Sequence, residues 1–167
     1  MPHPDKPAEQ TFRAGVGAVI QRPDGAVLAL LRSDDDTAWQ FPQGGLKPAE
    51  EPRDALFREV REETGLESWY LRIQSGAPRL LAYELPEEYR SRRTGRGQVL
   101  YWYRLRFDGA DELITLGNGR EFSDWRWMKM ADLVAIVSPF RRQVYVELGR
   151  ELEASPGYAE PASVKPS

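Results

Sequence analysis

Three glutamates at helical spacing, Glu59, Glu62 and Glu63, suggest the first chemistry in this sequence. At roughly 100° per residue, a helix would gather their side chains within about a 100° arc, beside an apolar arc. Carboxylates this close repel one another, and a divalent cation would offset that cost. Hard cations such as Mg²⁺ take oxygen ligands and keep several waters, so the cluster suits a metal that also touches phosphate. The alternative is a solvated face on which Asp54 and Glu62 pair with Arg58.

The segment around these glutamates carries the start and stop signals of a short helix. Pro52 fits a first helical turn, and the Asp54 carboxylate complements the positive end of the helix dipole. Gly65 is a natural residue just past the last turn. These signals predict a helix from about residue 52 to 64, entered through a glycine turn at residues 44–45.

The spacing around the helix resembles the signature of the Nudix hydrolases. From Gly44 the chain gives five residues, Glu50, seven further residues and then REVREETGL at positions 58–66, so that every fixed position of that signature is filled. The resemblance implies an α/β fold, a Nudix-type α/β/α sandwich with a mixed β-sheet between helices. It also implies hydrolysis of a nucleoside diphosphate linked to a further moiety.

The same resemblance implies roles for individual residues of the segment. The catalytic side chains that hold divalent metal would be Glu59, Glu62 and Glu63. The carbonyl of Gly44 would supply one more metal ligand, and Arg58 with Glu50 would brace the loop against the helix. The implied cofactor is Mg²⁺ or Mn²⁺, as two or three ions.

Composition limits the other kinds of chemistry. The chain has no cysteine, and its one histidine is His3 near the N-terminus. Disulfides, thiolate zinc sites and a histidine base are therefore not expected, which leaves carboxylates as acid, base and metal-binding groups. A net charge of −3 argues against a broad nucleic-acid surface, so DNA is not an expected partner and RNA contact should be local.

The 167 residues suit one domain, which we place at 12–153 between a flexible leader at 1–11 and a flexible tail at 154–167. The chain has no apolar run near the ~18 residues of a membrane helix, and the leader lacks the apolar core of a signal peptide. The sequence therefore predicts no membrane partner and a cytoplasmic location.

Alternation, turn residues and helical periodicity place the remaining elements. A hairpin is predicted from strands at 12–21 and 26–31, and the acidic run at 34–36 is interpreted as a solvated loop. Further strands are predicted at 69–73, 79–85, 98–107 and 122–128, and helices at 131–137 and 140–152. This order predicts a mixed sheet between helices.

Residues outside the helix resemble one subgroup, the bacterial RNA 5′-pyrophosphohydrolases and the related asymmetric dinucleoside polyphosphate hydrolases. The run WQFPQGG at 39–45 carries the resemblance, and further short matches follow in the same order to about residue 150. The implied activity is metal-dependent removal of pyrophosphate from the 5′ end of triphosphorylated RNA. Asymmetric diadenosine polyphosphate hydrolysis is the alternative, because both substrates present a 5′-linked polyphosphate to the same cluster.

Three further readings are weaker: a nucleoside triphosphate pyrophosphatase, a nucleotide-sugar pyrophosphatase, and a catalytically silent nucleotide-binding module. A silent module would be expected to lose carboxylates of the signature. None of these carboxylates is missing here.

The subgroup resemblance also implies substrate-binding residues. Arg13, Arg32 and Arg141 would contact phosphates, since a guanidinium binds phosphate oxygens bidentately, while surface ion pairs are the alternative. Phe140 and Tyr83 would flank a base, although Tyr83 is equally well explained as core. The substrate-binding group is completed by Gln43.

Two further features outside the helix have open interpretations. Glu121 lies where the subgroup has an additional carboxylate that binds metal or acts as a base. The alternative is that Glu121 is an ordinary glutamate at the end of a loop. The arginines at 90, 92, 93 and 96 either touch an RNA backbone or form an ordinary solvated charge run.

Overall fold

The computed structural model describes residues 10–117, 119–155 and 163–167, with only the backbone at 75–77. Most of the predicted leader, with His3, and half of the predicted tail lie outside these residues. Among the described residues no helix is long and apolar enough to span a membrane. The strands are β1 (Phe12–Gln21), β2 (Val27–Arg32), β3 (Trp39–Gln40), β4 (Gln43–Gly45), β5 (Leu71–Glu84), β6 (Gly97–Phe107) and β7 (Phe122–Met128). The helices are α1 (Pro52–Thr64), α2 (Met130–Ile136) and α3 (Pro139–Ala154).

Strand β1 is the centre of a mixed sheet. It pairs parallel with β6 along its whole length, antiparallel with β4 through Gly15–Gly17, and antiparallel with β2 at Gln21. The main path of the sheet is β3-β2-β1-β6-β5, with β4 added on β1 and β7 on β2. The short strand β4 therefore lies on the edge of β1 that also pairs with β2.

Each face of the sheet has its own apolar core. Alternate β1 side chains, Val16, Ala18 and Ile20, pack with the apolar face of α1. The other face packs against α2 and α3, where Tyr145 of α3 is fully buried. Two helical layers around one mixed sheet confirm the predicted α/β/α sandwich.

Most element predictions agree with the structure to within one or two residues, but the region after α1 does not. Two separate strands were predicted at 69–73 and 79–85, whereas the structure has the single strand β5. Both halves pair with β6, and the register shifts between Gln74 and Arg79. Trp69 belongs instead to a 3₁₀ turn at Ser68–Tyr70. The interval between the two predicted strands is thus an irregularity within one strand and not a loop.

The predicted glycine turn at 44–45 is also wrong, because both glycines lie in β4. Gly44 pairs with Val16, and Gly45 pairs with Gly15. A Cβ on Gly44 would overlap the Glu59 carboxylate, and one on Gly45 would overlap the guanidinium of Arg13. The glycines are needed for close approach and not for a turn.

Helix α1 begins and ends where the sequence predicted. Pro52 is in its first turn, and Gly65 caps its end with φ 77° while its N–H donates to the Arg61 carbonyl. A Cβ on Gly65 would overlap the Thr115 hydroxyl. This cap therefore needs glycine for its left-handed backbone and for its contact.

We expect Gly65→Ala to lower the free energy of unfolding by about 2 kcal/mol, since it combines left-handed strain with a steric overlap. Gly25→Ala is the matched control, because Gly25 has φ 89° but open space around the added methyl. That control should lose only about 1 kcal/mol. Urea denaturation of both variants measures the difference. Equal losses in the free energy of unfolding would show that the overlap with Thr115 contributes nothing.

Candidate active site

The carboxylate helix and strand β4 are held in direct contact. The backbone N–H of Gln43 donates to Oε2 of Glu63 at 3.0 Å. The Glu59 carboxylate lies against the backbone of Gly44, which has no side chain to exclude it. Two of the three clustered glutamates are therefore positioned by the β4 backbone.

Arg58 fastens the same junction from the other side. Its guanidinium donates twice to Glu50, at 2.8 Å each, and to the Gly45 carbonyl at 2.9 Å. It also pairs with Glu59 at 2.6 Å and, more distantly, with Glu62 at 3.5 Å. The brace between Arg58 and Glu50 is thus present. Of the alternative solvated pairing of Arg58 with Asp54 and Glu62, the structure shows only the long contact to Glu62.

The carboxylates are placed where negative charge is costly. Glu63 is 2% exposed, and its burial raises its pKa well above the usual carboxyl range, helped by the charges of Glu121 and Glu59. Burial likewise raises the pKa of Glu59, against the lowering effect of Arg58. The pKa of Glu121 is raised by desolvation and opposed mainly by Arg32. The cluster therefore stores unfavourable charge.

The donor set fits a hard divalent cation. Glu63 Oε1 is buried with no hydrogen-bond partner, and the neighbouring carboxylates raise one another's pKa. A positive charge between them would remove both penalties. Within the described part of the chain, no three acidic or histidine side chains already converge at coordinating distances. Glu59, for example, faces Arg58, so binding would require side-chain rotation.

A cavity of about 550 Å³ opens in front of the cluster and joins opposite charges. Its anionic wall includes Glu59, Glu62 and Glu121, and its cationic wall includes Arg13, Arg32 and Arg141. The volume falls within the usual range of ligand pockets, ~300–1,000 Å³. The structure therefore brings the predicted phosphate-binding arginines to the same space as the carboxylates.

Each of these arginines is held differently. Arg32 makes a two-point ion pair with Asp34, at 2.8 and 3.0 Å. Arg32 therefore forms the surface ion pair that was the alternative interpretation, and it also lines the cavity. Arg13 donates to the Arg93 carbonyl at 3.3 Å. Arg141 lies over the ring of Phe140, 4.7 Å from its centroid, and its Nε is buried without a hydrogen-bond partner. A phosphate oxygen would satisfy such a donor.

Tyr83 does not flank the cavity, contrary to one reading of the sequence. It is 6% exposed and lies beneath Phe140, with ring centroids 5.8 Å apart. Its hydroxyl accepts a hydrogen bond from the Gln43 amide at 2.8 Å and donates to Gln98 at 3.0 Å. Core packing was the correct alternative, and Tyr83 supports Gln43 from below.

Sequence reasoning missed three residues that line the cavity: Gln40, Gln98 and Tyr89. Gln40 is 2% exposed, and its side-chain carbonyl has no hydrogen-bond partner. The side-chain carbonyl of Gln43 also has no hydrogen-bond partner. A glutamine between Trp39 and Phe41 was a usable signal, because polar residues are rarely buried inside apolar runs without a role. Tyr89 had no comparable signal.

A sequence model of the NUDIX domain matches residues 11–148. An RNA pyrophosphohydrolase of Rhodospirillum rubrum is 39% identical over 154 residues, which cover 90% of this chain and 90% of that protein. One from Cereibacter sphaeroides is 39% identical over 147 residues, which cover 85% of this chain and 91% of that protein.

Solved structures share the fold at lower identity. An Ap4A hydrolase of C. elegans superimposes with a TM-score of 0.68 at 22% identity, covering 86% of this chain and all of that one. The E. coli dihydroneopterin triphosphate pyrophosphohydrolase gives 0.66 at 21% identity, covering 85% of this chain and 99% of that one. These similarities concern the architecture alone.

We expect Arg58→Met to lower the free energy of unfolding by about 3 kcal/mol, because it leaves Glu50 and Glu59 largely buried without their partner. Arg150→Met is the control, since Arg150 pairs with Glu147 but is 68% exposed. That variant should change stability by no more than about 0.5 kcal/mol. Urea denaturation of both variants in EDTA measures the two effects, and similar losses would show that the brace is not structural.

The stability of the protein in EDTA should fall as pH rises above the ordinary carboxyl range. Because the pKa of Glu63 is raised, the folded state keeps a proton that the unfolded state has lost. The free energy of unfolding therefore falls as the pH rises from the ordinary carboxyl pKa to the raised pKa of the folded state. Glu63→Gln removes this titration, so it should flatten the pH slope and raise stability at pH 7. Thermal or urea unfolding across pH measures both effects.

Glu112→Gln, at an exposed acidic residue of the same charge type, should leave that slope unchanged. Added Mg²⁺ or Mn²⁺ should raise the melting temperature of the wild type and of Glu112→Gln, but less that of Glu63→Gln. Equal metal shifts in all three proteins would contradict the assignment of Glu63 to a metal site.

Proposed function

The chain belongs to the Nudix family, and from that premise we propose that it removes pyrophosphate from the 5′ end of triphosphorylated RNA. It is a hydrolase of phosphoanhydride bonds. One observation carries the proposal: a single cavity joins the carboxylates of α1 to the guanidinium groups of Arg13, Arg32 and Arg141. A polyphosphate is the substrate whose charge requires both walls.

Nudix hydrolases generally use divalent metal ions. In this chain Glu59, Glu62, Glu63 and Glu121 would hold two or three Mg²⁺ or Mn²⁺ ions, with the Gly44 carbonyl within the same pocket. When bound, the ions neutralise phosphate charge and lower the pKa of an attacking water. The β4 backbone positions Glu63, and Arg58 joins α1 to β4, so the carboxylates stay at the edge of the cavity.

The other side chains act on the polyphosphate and on the proton. Glu121 or one of the helix glutamates accepts the proton of the attacking water, consistent with the raised pKa values of Glu121 and Glu59. Attack in line at phosphorus breaks the anhydride bond. Arg32 and Arg141 stabilise the charge on the departing pyrophosphate, and a 5′-monophosphate end remains.

RNA is favoured over other polyphosphates by two arguments. The relatives that match most of this chain at 39% identity are named RNA pyrophosphohydrolases. The exposed residues Tyr89 and Arg93 line the cavity, so a chain has surface to follow beyond the 5′ end. A cytoplasmic location belongs to the same proposal, because the substrate is intracellular RNA.

The test is a competition in Mg²⁺ between a short 5′-triphosphorylated RNA and diadenosine tetraphosphate, with kcat/KM measured for each. We expect a preference for RNA of at least about tenfold. A preference for the dinucleotide would replace the proposal with dinucleotide hydrolysis. Failure on both substrates would overturn the proposal as a whole.

Variants of the cluster show whether the measured activity belongs to this site. Glu63→Gln should lower kcat by about 10²-fold or more at saturating Mg²⁺, because a positioned carboxylate is lost. Glu112→Gln keeps the same chemical change at a distant, exposed position and should be fully active. Unchanged turnover in Glu63→Gln would remove this residue from the metal site.

A further inference from the structure

The segment at residues 86–96, here called the arginine loop, is built to present side chains at the edge of the cavity. Its backbone closes on itself: the Tyr89 N–H donates to the Pro86 carbonyl, and the Tyr89 carbonyl accepts a bond from the Thr94 hydroxyl. The loop is anchored to β1 where the Arg96 N–H donates to the Thr11 carbonyl at 2.8 Å. Its shape therefore does not depend on the Tyr89 ring.

The arginines of this loop are not equivalent. Arg96 pairs with Glu84 at 3.0 Å, and Arg90 donates to the Leu85 carbonyl at 2.8 Å. These two fasten the loop to the end of β5. Arg93 instead lines the cavity, with its side chain exposed. Arg90 and Arg96 thus have structural partners, whereas Arg93 faces the cavity, and its contact with RNA stays a prediction.

Tyr89 is the feature that the reaction itself leaves unexplained. It is a large aromatic residue, 58% exposed, and it lines the same cavity as the carboxylates. Its ring lies 6.0 Å from that of Phe140 at an angle of 45°. Phe140 and Tyr89 therefore form a continuous aromatic ridge that runs outward from the arginines to the loop.

We propose that Tyr89 and Arg93 form a subsite for the RNA chain itself, receiving the nucleotide that follows the one held at Phe140. The Tyr89 ring stacks on that base, and the Arg93 guanidinium contacts the adjoining phosphodiester. This inference rests on the proposed function, because a free nucleotide has no residue to place there. The subsite makes the enzyme prefer RNA strands that extend beyond the nucleotide at Phe140.

The chemistry of both residues suits this role. Every base has an aromatic face, so stacking on a tyrosine tolerates any sequence, and an arginine beside it follows the backbone charge. The subsite would add affinity for RNA length without reading sequence. It would add nothing for a substrate that ends at the nucleotide on Phe140.

The first test measures kcat/KM for 5′-triphosphorylated substrates of one, two, three and five nucleotides, so that the series includes the length that ends at Phe140. We expect the wild type to prefer the first length that extends past Phe140 over the length that ends there by about tenfold, the value of one stacked base. Tyr89→Ala should lose most of this preference, and Tyr89→Phe should keep it, because phenylalanine also stacks. Leu80→Ala, at an exposed apolar residue of β5 away from the cavity, should behave as wild type.

The second test locates the stacked base. RNAs with a non-hydrolysable imidotriphosphate end carry 2-aminopurine at one of their first four positions, and quenching on binding is recorded for each. Tyr89→Ala should lose quenching at one position only. That position should lie one nucleotide to the 3′ side of the position affected by Phe140→Ala.

The outcomes separate this inference from the proposed function. If the wild type shows no such length preference, or if Tyr89→Ala loses activity equally at every length, the subsite is wrong while RNA hydrolysis stands. Unchanged quenching in Tyr89→Ala would overturn the subsite as well. If the wild type cleaves none of these RNAs, the proposed function fails and the subsite fails with it.

Discussion

A single guanidinium holds the site together. Arg58 is only 14% exposed, and it connects the loop carboxylate of Glu50, the helix carboxylate of Glu59 and the Gly45 carbonyl. Without a cation in this position, the Glu50 and Glu59 carboxylates would lose their ion-pair partner and the Gly45 carbonyl would lose a donor. The brace allows a carboxylate-bearing helix to pack directly on a strand, and every other feature of the site is positioned relative to that contact.

The remaining carboxylates show that this region is not optimised for stability alone. Glu63 is almost fully buried, one of its oxygens has no partner, and its pKa is raised well above normal. Such groups lower the stability of a fold unless something else binds them. Their retention beside a cavity with a cationic wall is consistent with the proposed metal-dependent chemistry on phosphates.

The position of β4 explains how both helical layers reach one cavity. Strand β4 pairs with Gly15–Gly17 of β1, whereas β2 pairs with β1 only at Gln21, so the sheet divides along this edge of β1. Glu59 approaches from the α1 face, whereas Phe140 and Arg141 approach from α3 on the other face. The buried hydrogen bond from the Phe41 N–H to the Tyr145 hydroxyl, at 2.7 Å, fixes the segment before β4 to α3. Opposite charges can therefore face each other across one gap.

Local signals in the chain predict the family, the layered fold, the limits of α1 and the carboxylates it carries, because these features depend on spacing, capping and periodicity. Other outcomes are visible only in the folded protein: Gly44 and Gly45 form a strand, Tyr83 is buried, and Tyr89 and Gln98 line the cavity. These outcomes depend on which backbones approach across long sequence distances. A glycine in a tight turn and a glycine beneath a carboxylate have the same sequence signal, so packing alone separates them.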